Sequence, residues 1–281
     1  MRQVLVTLSH GLQSSESKLY HVKLRELNGF DEQFLESIKN ELPAFLQTTE
    51  LLKKTTLFES EMTKIQKDEL FKTLTIGDRI CLLLNLRKIT FGNSLSCIMT
   101  CDSCKEKASF ELDIDSLLNL GTKQIKTENY LIHTKNFSLK IRPLTVLDQE
   151  SILSYSDKRN FKEKPTDQLI RSCIVSSKPN LSDSSLPQEI IDAVNPKLNE
   201  IDPMADIILD LKCPACDHSL QTPFEIENFV LREIYSQISS LEKEIHWLAF
   251  NYNWSEKNIL NLPIQKRHRY IELINETLSG E

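Results

Sequence analysis

Four of the seven cysteines form two CxxC pairs, Cys101 with Cys104 and Cys213 with Cys216. Two thiolates three residues apart on a tight turn face one point and supply half of the tetrahedron that zinc prefers. Two such turns, or zinc knuckles, therefore predict one Zn²⁺ held by all four thiolates. Four protein ligands leave no position for water, so we expect this zinc to be structural and not catalytic.

Other interpretations of the cysteines fit less well. A redox CxxC is expected once, at a helix N-terminus after a strand, and the two hairpin copies fit that pattern poorly. Accidental pairs of core cysteines are a further alternative. His218 could replace one thiolate, although four cysteines suffice. Cys97 lies too far along its strand to join the site, and Cys81 and Cys173 are interpreted as buried small hydrophobes.

The composition limits the class of protein. The 281 residues are 40% hydrophobic and 26% charged, with a formal net charge of −6, which weighs against wide contact with nucleic-acid phosphates. The most apolar run, residues 80–86, is too short for a membrane span. The N-terminus lacks the features of a signal peptide. We therefore expect a cytoplasmic protein whose thiols stay reduced.

Stretches around the cysteine pairs recur in the same order, which predicts a degenerate duplication. The aligned ranges are 20–33 with 137–150, 51–55 with 169–173, and 101–118 with 213–230. Each unit is predicted to contain a strand with alternating apolar residues, then helix, then a strand that enters the CxxC turn and returns. The second unit is predicted to lack a counterpart of residues 82–92.

These patterns predict an α+β fold. It consists of two degenerate repeats of strand, helix and CxxC hairpin, which share one zinc-ribbon-like Cys₄ site and are followed by C-terminal helices. The predicted domains are a first repeat at 1–132, a second repeat at 133–230 and a helical segment at 231–281. The ion would then clamp the two repeats together.

Charged residues recur between the copies, among them Arg25 as Arg142 and Asp31 as Asp148. Both aspartates fall in the first turn of a predicted helix, where a carboxylate interacts favourably with the helix dipole. We interpret the arginines as partners in a structural salt bridge or carbonyl contact. The six histidines are scattered, and the chain has no nucleophile motif and no phosphate-binding glycine loop. We expect no enzyme and no small-molecule substrate.

The C-terminal segment changes pattern at residue 231. Apolar residues then follow heptad spacing, which predicts an amphipathic helix: Leu231, Ile234, Ile238, Leu241, Ile245, Leu248 and Tyr252. Such a helix packs on its own domain or is offered to a partner, and both interpretations stay open. Residues 246–274 are dense in aromatics, and the basic run 266–269 is interpreted as a solvated face or a contact for an acidic protein partner.

Three stretches together resemble the baseplate hub assembly chaperones of T-even-like contractile phages, a family also found in phage-like contractile injection systems. The first is LTIGDRICLLLNLRKITFGNSLSCIMTCDSC, residues 74–104. The second is KIRPLTVLDQE, residues 140–150. The third joins the second knuckle CPAC, its extension FEIENFVLREI and WLAFNYNWSEKNILNLPIQKRHRYIELI. The resemblance covers most of residues 20–275.

The resemblance implies a non-enzymatic chaperone or scaffold for a baseplate hub, with hub or tape-measure proteins as partners. It implies a place in the bacterial or phage-infected cytoplasm, or in a tail-like particle. The four cysteines match the family's metal-type knuckles. The alternatives are a permanent structural baseplate component and, less favoured by the net charge, a zinc-ribbon nucleic-acid binder. The predicted partner-binding residues are Trp247, Tyr252, Trp254, Leu262, Arg267, Arg269 and Tyr270.

Overall fold

The computed structural model describes residues 1–14, 17–58, 61–121, 127, 129–156, 165–181, 185–238 and 240–279. Helices alternate with small antiparallel sheets, so the predicted α+β class is confirmed. The strands are β1 (Gln3–Gln13), β2 (Lys18–Arg25), β3 (Thr56–Leu57), β4 (Ser94–Thr100), β5 (Lys107–Asp113), β6 (Tyr130–His133), β7 (Ser138–Ile141), β8 (Ile174–Lys178), β9 (Ile208–Lys212) and β10 (Ser219–Pro223).

Twelve α-helices lie among the described residues. They are α1 (Gly29–Ile38), α2 (Ala44–Thr55), α3 (Lys64–Lys72), α4 (Ile76–Phe91), α5 (Ile114–Leu118), α6 (Val146–Ser156), α7 (Pro165–Cys173), α8 (Gln188–Ile201), α9 (Ile226–Ile238), α10 (Leu241–Tyr252), α11 (Glu256–Leu260) and α12 (Ile264–Ser279). A short 3₁₀ turn, Asn119–Gly121, follows α5. Among the described residues, no helix is both long enough and apolar enough to span a bilayer.

The order of elements recurs along the chain. A hairpin (β1–β2, then β6–β7) is followed by two helices and by a third strand that completes each sheet, in the orders β1-β2-β3 and β6-β7-β8. Each CxxC turn then joins its own two-stranded hairpin, β4–β5 or β9–β10. Among the residues that the structure describes, the second unit has one helix, α8, where the first has α3 and α4. The predicted strands at each CxxC turn are therefore present in both units.

Local sequence signals explain where the first helix of each unit begins. The Asn28 side chain accepts a hydrogen bond from the Asp31 N–H, and the Asp31 carboxylate accepts one from the Asn28 N–H, which is a capping box. In the second unit the Thr145 N–H donates to Asp148 at 2.8 Å in the same way. Both helix starts lie where the sequence predicts them.

Strand β1 was not predicted from the sequence, and its placement depends on a distant carboxylate. Its pairing with β2 is interrupted between Thr7 and Leu12. Across this irregularity, the Asp78 carboxylate of α4 accepts hydrogen bonds from three consecutive backbone N–H groups, those of Ser9, His10 and Gly11, at 2.7–2.9 Å. These bonds satisfy N–H groups that strand pairing leaves free, and they fix β1 against α4.

The main core joins the first unit to the end of the second. Buried Leu24, Leu51 and Leu83 belong to the same apolar cluster as Val230 and Ile234 of α9. Helix α9 contacts α1, α2 and α4 of the first unit. The second unit has a smaller core of its own, which is built from β7, α7 and α8. The two units are thus connected through shared apolar burial as well as through the knuckles.

The heptad pattern from residue 231 does not form one helix, which corrects the prediction. Helix α9 ends at Ile238 and α10 begins at Leu241. Between them, Ser240 Oγ lies 2.8 Å from the Gln237 carbonyl oxygen and 2.7 Å from a Glu244 carboxylate oxygen. A serine hydroxyl that contacts nearby backbone in this way competes with helix continuation. The buried heptad residues Leu231, Ile234, Ile238, Leu241 and Leu248 pack within the chain itself.

Candidate metal centre and C-terminal surface

The first knuckle is a tight turn at the end of the β4–β5 hairpin. The Cys101 N–H donates to the Glu106 carbonyl at 2.9 Å, and the Lys105 N–H donates to the Cys101 carbonyl at 3.0 Å. Lys105, which follows Cys104, has a φ of 64°, in the left-handed region. The chain reverses direction at this residue, and the two sulfurs of the knuckle lie on one side of the turn.

The second knuckle repeats this geometry. The Cys213 N–H donates to the His218 carbonyl and the Asp217 N–H donates to the Cys213 carbonyl, both at 2.9 Å. Asp217, directly after Cys216, has a φ of 54°. A non-glycine residue with a positive φ is uncommon, and one occurs at the equivalent position of both turns. The turns are therefore two copies of one local structure.

The four cysteines meet at one point. Cys101 Sγ lies 3.7 Å from Cys216 Sγ, and Cys104 Sγ lies 3.7 Å from Cys213 Sγ, so each close pair joins the two knuckles. All four sulfurs lie within 4.8 Å of one another. Zn–S bonds of about 2.3 Å set sulfurs about 3.8 Å apart at the corners of a tetrahedron. The predicted grouping is confirmed, and the donor set fits a four-coordinate metal.

The electrostatics of the turn favour a thiolate at Cys101. The backbone N–H of Cys104 is the main cause of a pKa of Cys101 that is lowered to about 6. Burial opposes this effect, and the N–H of Ser103 adds to it. The thiolate is the form of cysteine that binds metals, and Cys101 is the thiol of this turn whose pKa is lowered, whereas the pKa of Cys104 is raised to about 12.

His218 does not join the cysteine cluster, and its possible role as a replacement ligand is not supported. Its Nε2 instead lies 3.0 Å from a carboxylate oxygen of Asp102. His218 belongs to the second knuckle and Asp102 to the first, so that this exposed pair is a second link between the two turns. Sequence spacing gave no signal for the pair, because 116 positions separate the two residues in the chain.

The remaining three cysteines lie outside the four-cysteine cluster. Cys97 on β4 and Cys173 at the end of α7 are buried, and Cys81 on α4 is half-buried. Burial raises the pKa of Cys81 and that of Cys173 to about 12. These thiols stay protonated and behave as small apolar side chains.

The predicted aromatic residues of the C-terminal segment pack against one another. The Tyr252 and Trp254 rings stack with centroids 4.8 Å apart. Tyr270 of α12 lies edge-on to Trp254 at 5.0 Å. Trp247 joins the same half-buried cluster, around a centre of Leu248, Ile259 and Ile274. The cluster holds α10, α11 and α12 together and leaves part of each ring at the surface.

Arg267 is completely buried, which corrects the expectation that residues 266–269 form a solvated face. Its guanidinium donates to Glu32 of α1 at 2.5 Å and to Glu244 of α10 at 3.0 Å. Arg269 is exposed and pairs with Glu272 and Glu276 of its own helix. Leu262 is half-buried between α11 and α12. Arg267 is therefore engaged within the chain, whereas Arg269 remains accessible.

The two carboxylates beside Arg267 differ in their pKa. Burial raises the pKa of Glu32 to about 7, although the Arg267 charge opposes the shift. Burial would also raise the pKa of Glu244. Hydrogen bonds from His268, Ser240 and Arg267 outweigh it, and they lower the pKa of Glu244 to about 2. Glu244 is the permanent counter-charge of Arg267 at neutral pH.

The fold and the cysteine cluster define a duplicated α+β protein whose two units meet at one four-cysteine site. Residues 22–231 match the family described as T4 bacteriophage base plate protein. The match covers most of the chain and includes both knuckles, so that the protein belongs to this family of T4-like phage baseplate proteins. Helices α10, α11 and α12 lie beyond the matched range. No curated protein and no solved structure matches the chain.

Proposed function

We propose that this protein is a non-enzymatic assembly chaperone or scaffold for the baseplate hub of a contractile phage tail or a phage-like injection system. The observation that carries the proposal is the family match over residues 22–231. Baseplate proteins work through contacts with other proteins, which suggests partners among the hub and tape-measure proteins. The chain is expected to meet them in the cytoplasm of the infected or producing cell.

We propose in addition that Cys101, Cys104, Cys213 and Cys216 hold one structural Zn²⁺. The 3.7 Å separations between sulfurs of opposite knuckles support this, because they are close to the edge of a zinc–thiolate tetrahedron. The ion would supply no chemistry beyond coordination. Structural zinc sites contribute apparent binding energies of about 10–16 kcal/mol to folding. The zinc would hold the β4–β5 hairpin of the first unit against the β9–β10 hairpin of the second.

The C-terminal helices supply a surface for the partner. Phe250 of α10 is 73% exposed and stacks on His246, one turn earlier. Trp247 is half-buried on the same helix, and Arg269 is exposed on α12. Exposed aromatic and arginine side chains are typical anchors of protein interfaces. We propose that these exposed side chains of α10 and α12 contact the partner, with Arg267 serving only to hold the helices in place.

A co-purification experiment tests the chaperone proposal. Tagged protein is co-expressed with the hub and tape-measure proteins encoded beside it, and at least one of them is expected to remain bound. Phe250→Ala combined with Arg269→Ala should weaken retention without unfolding the chain, because both side chains are exposed. Removal of α12 is a poor substitute, since it would leave Glu32 and Glu244 without Arg267. If wild-type protein retains none of these proteins, the proposal is wrong.

A permanent structural role is the second candidate, because the family is described as a base plate protein. Quantitative mass spectrometry of purified tails distinguishes the two. A chaperone is expected to be absent from finished particles or present far below the stoichiometry of the hub. A fixed ratio to the hub proteins would favour the permanent component.

A further inference from the structure

An open groove of about 800 Å³ lies between the two knuckle hairpins. One wall is the run 96–100 of β4. The opposite wall includes one face of the other hairpin, with Leu209 and Leu211 of β9 and Leu220 of β10. Charged side chains of α4 and α9 also line the groove, namely Arg87, Arg232 and Glu233. Successive residues of a strand point to opposite faces of a sheet. Since five consecutive residues of β4 line the groove, the groove runs along the edge of that strand.

The backbone of β4 has unpaired groups along this edge. Among the described residues, β4 pairs with β5 alone. The residues that flank the strand, Asn93 and Cys101, both make backbone hydrogen bonds to the β5 side. In an antiparallel pair, residues that bond to the neighbour alternate with residues whose N–H and C=O groups point away from it. Ser96, Ile98 and Thr100 therefore direct their backbone groups away from β5, toward the groove.

The duplication offers an internal comparison for this edge. Ile98 lies three residues before the first cysteine of its knuckle, and the residue at the same place in the second knuckle is Asp210. Natural edge strands carry charges, prolines or bulges that prevent pairing with another chain. Strand β9 has such charges in Asp210 and Lys212, whereas β4, with the sequence SLSCIMT, has neither charge nor proline and pairs in regular register. Ile98 is nevertheless 76% exposed.

We propose that the free edge of β4 binds an extended segment of a partner protein, which adds to the β4–β5 hairpin as a third strand. Backbone hydrogen bonds to Ser96, Ile98 and Thr100 would supply affinity, and every second side chain of the segment would contact the leucines across the groove. The segment is therefore expected to be apolar at the alternate positions that face these leucines. The inference rests on the proposed function for the source of the segment, a hub or tape-measure protein.

Proline substitutions test the free edge of β4 while leaving the rest of the fold unchanged. Ile98→Pro removes an N–H that points into the groove and leaves every hydrogen bond to β5 in place, since proline is tolerated on the open side of an edge strand. Asp210→Pro is the matched control at the equivalent position of β9, which does not line the groove. Ile98→Thr keeps the N–H and tests the side chain alone. Circular dichroism melting and metal content verify that each variant folds.

The binding assay uses the full-length, zinc-loaded protein and overlapping synthetic peptides that span the hub and tape-measure proteins encoded beside it. At least one peptide with apolar residues at alternate positions should bind wild type and Asp210→Pro equally. Ile98→Pro should bind it about tenfold more weakly, the effect of losing one backbone hydrogen bond in a shielded site. Hydrogen exchange at the Ile98 and Thr100 amides should slow only when the peptide is present.

Any of three results of the peptide assay would overturn the inference. One is that no peptide binds wild type, and another is that Ile98→Pro binds as tightly as wild type. The third is a wild-type dimer that Ile98→Pro converts to monomer, which would make a second copy of the chain the occupant. The proposed function is judged separately with the intact partners. If Ile98→Pro retains them as well as wild type, the inference alone fails, and if wild type retains none, the proposed function fails.

Discussion

Arg25 donates two hydrogen bonds to the carboxylate of Asp31, at 2.6 and 2.9 Å. Arg142 and Asp148 make the same pair of bonds in the second unit, at 2.6 and 2.8 Å. Each arginine also donates to a backbone carbonyl near the end of the following helix pair, at Lys54 in one unit and at Ser172 in the other. The two units therefore share one polar contact that joins strand, first helix and second helix. Both kinds of contact that the sequence predicts for these arginines, a salt bridge and a carbonyl contact, are therefore present.

Removal of these aspartates should destabilise the protein to different extents. The Asp31 side chain is almost fully buried and its partner Arg25 is largely so, whereas Arg142 is one-third exposed. Loss of one member of a buried pair leaves an uncompensated charge. Asp31→Ala should lower the free energy of unfolding by about 3 kcal/mol, and Asp148→Ala by about half of that. Urea denaturation measures both.

An exposed ion pair is the control for that comparison. Glu36→Ala breaks a contact with Lys39 on the surface of α1 and should cost less than about 0.5 kcal/mol. Equal effects of Asp31→Ala and Glu36→Ala would mean that the buried contact contributes nothing beyond a surface pair.

The four-cysteine site should bind one zinc ion per chain. Cys101→Ser and Cys213→Ser each open the same ligand shell from opposite knuckles, and we expect each to lose the metal and about 4 kcal/mol or more of stability. Cys97→Ser is the control, because Cys97 lies on β4 outside the cluster and should leave the zinc in place. Native mass spectrometry measures the stoichiometry. Two ions per chain, or a metal-free protein that stays fully folded, would contradict a single clamp.

Arg267 and Arg269 lie two residues apart, and their truncation should lower the stability of the protein to very different extents. Arg267→Ala leaves the buried carboxylates of Glu32 and Glu244 without their cation and should cost about 3–5 kcal/mol. Arg269→Ala removes an exposed pair and should change stability by no more than about 0.5 kcal/mol. Thermal denaturation compares the two variants. A partner-binding defect confined to Arg269→Ala would agree with the proposed surface.

The contact between α10 and α12 should weaken at alkaline pH. The hydrogen bond to Glu244 raises the pKa of His268 above its usual 6.5, and burial opposes the shift. The folded protein therefore keeps a proton on His268 at pH values where the unfolded chain has released it. The stabilisation is fully present below pH 6.5 and is lost as the pH rises through the raised pKa.

His268→Gln isolates this effect. Because His268 is more than one-third exposed, we expect it to cost about 0.5–1 kcal/mol near neutral or acidic pH and less at alkaline pH. Denaturation curves of wild type and variant at the two pH values measure the difference. His246→Gln, on the exposed face of α10, serves as the control and should cost little at either pH. A difference that grows with pH would have the wrong sign and would exclude this ion pair as its source.

The sequence alone determined the features that depend on a few neighbouring residues. The CxxC spacing predicts both knuckles, and Asn28 with Asp31 predicts a capped helix start, because each of these structures closes within one turn of the chain. The duplication extended this information, since two copies of a local pattern predict that Cys101 and Cys213 occupy equivalent places. The α+β class and the grouping of four cysteines followed from it.

Only the tertiary structure decided which residues of the C-terminal segment are buried. The run 266–269 occupies one helical turn, whose side chains point in all directions, so that its sequence cannot distinguish Arg267 from Arg269. The difference comes from Glu32, 235 residues away in the chain. Helix α9 likewise follows the second knuckle in sequence but completes the core of the first unit. Such contacts depend on how whole helices and strands pack against one another. Local sequence spacing does not specify which element of the chain each helix packs against.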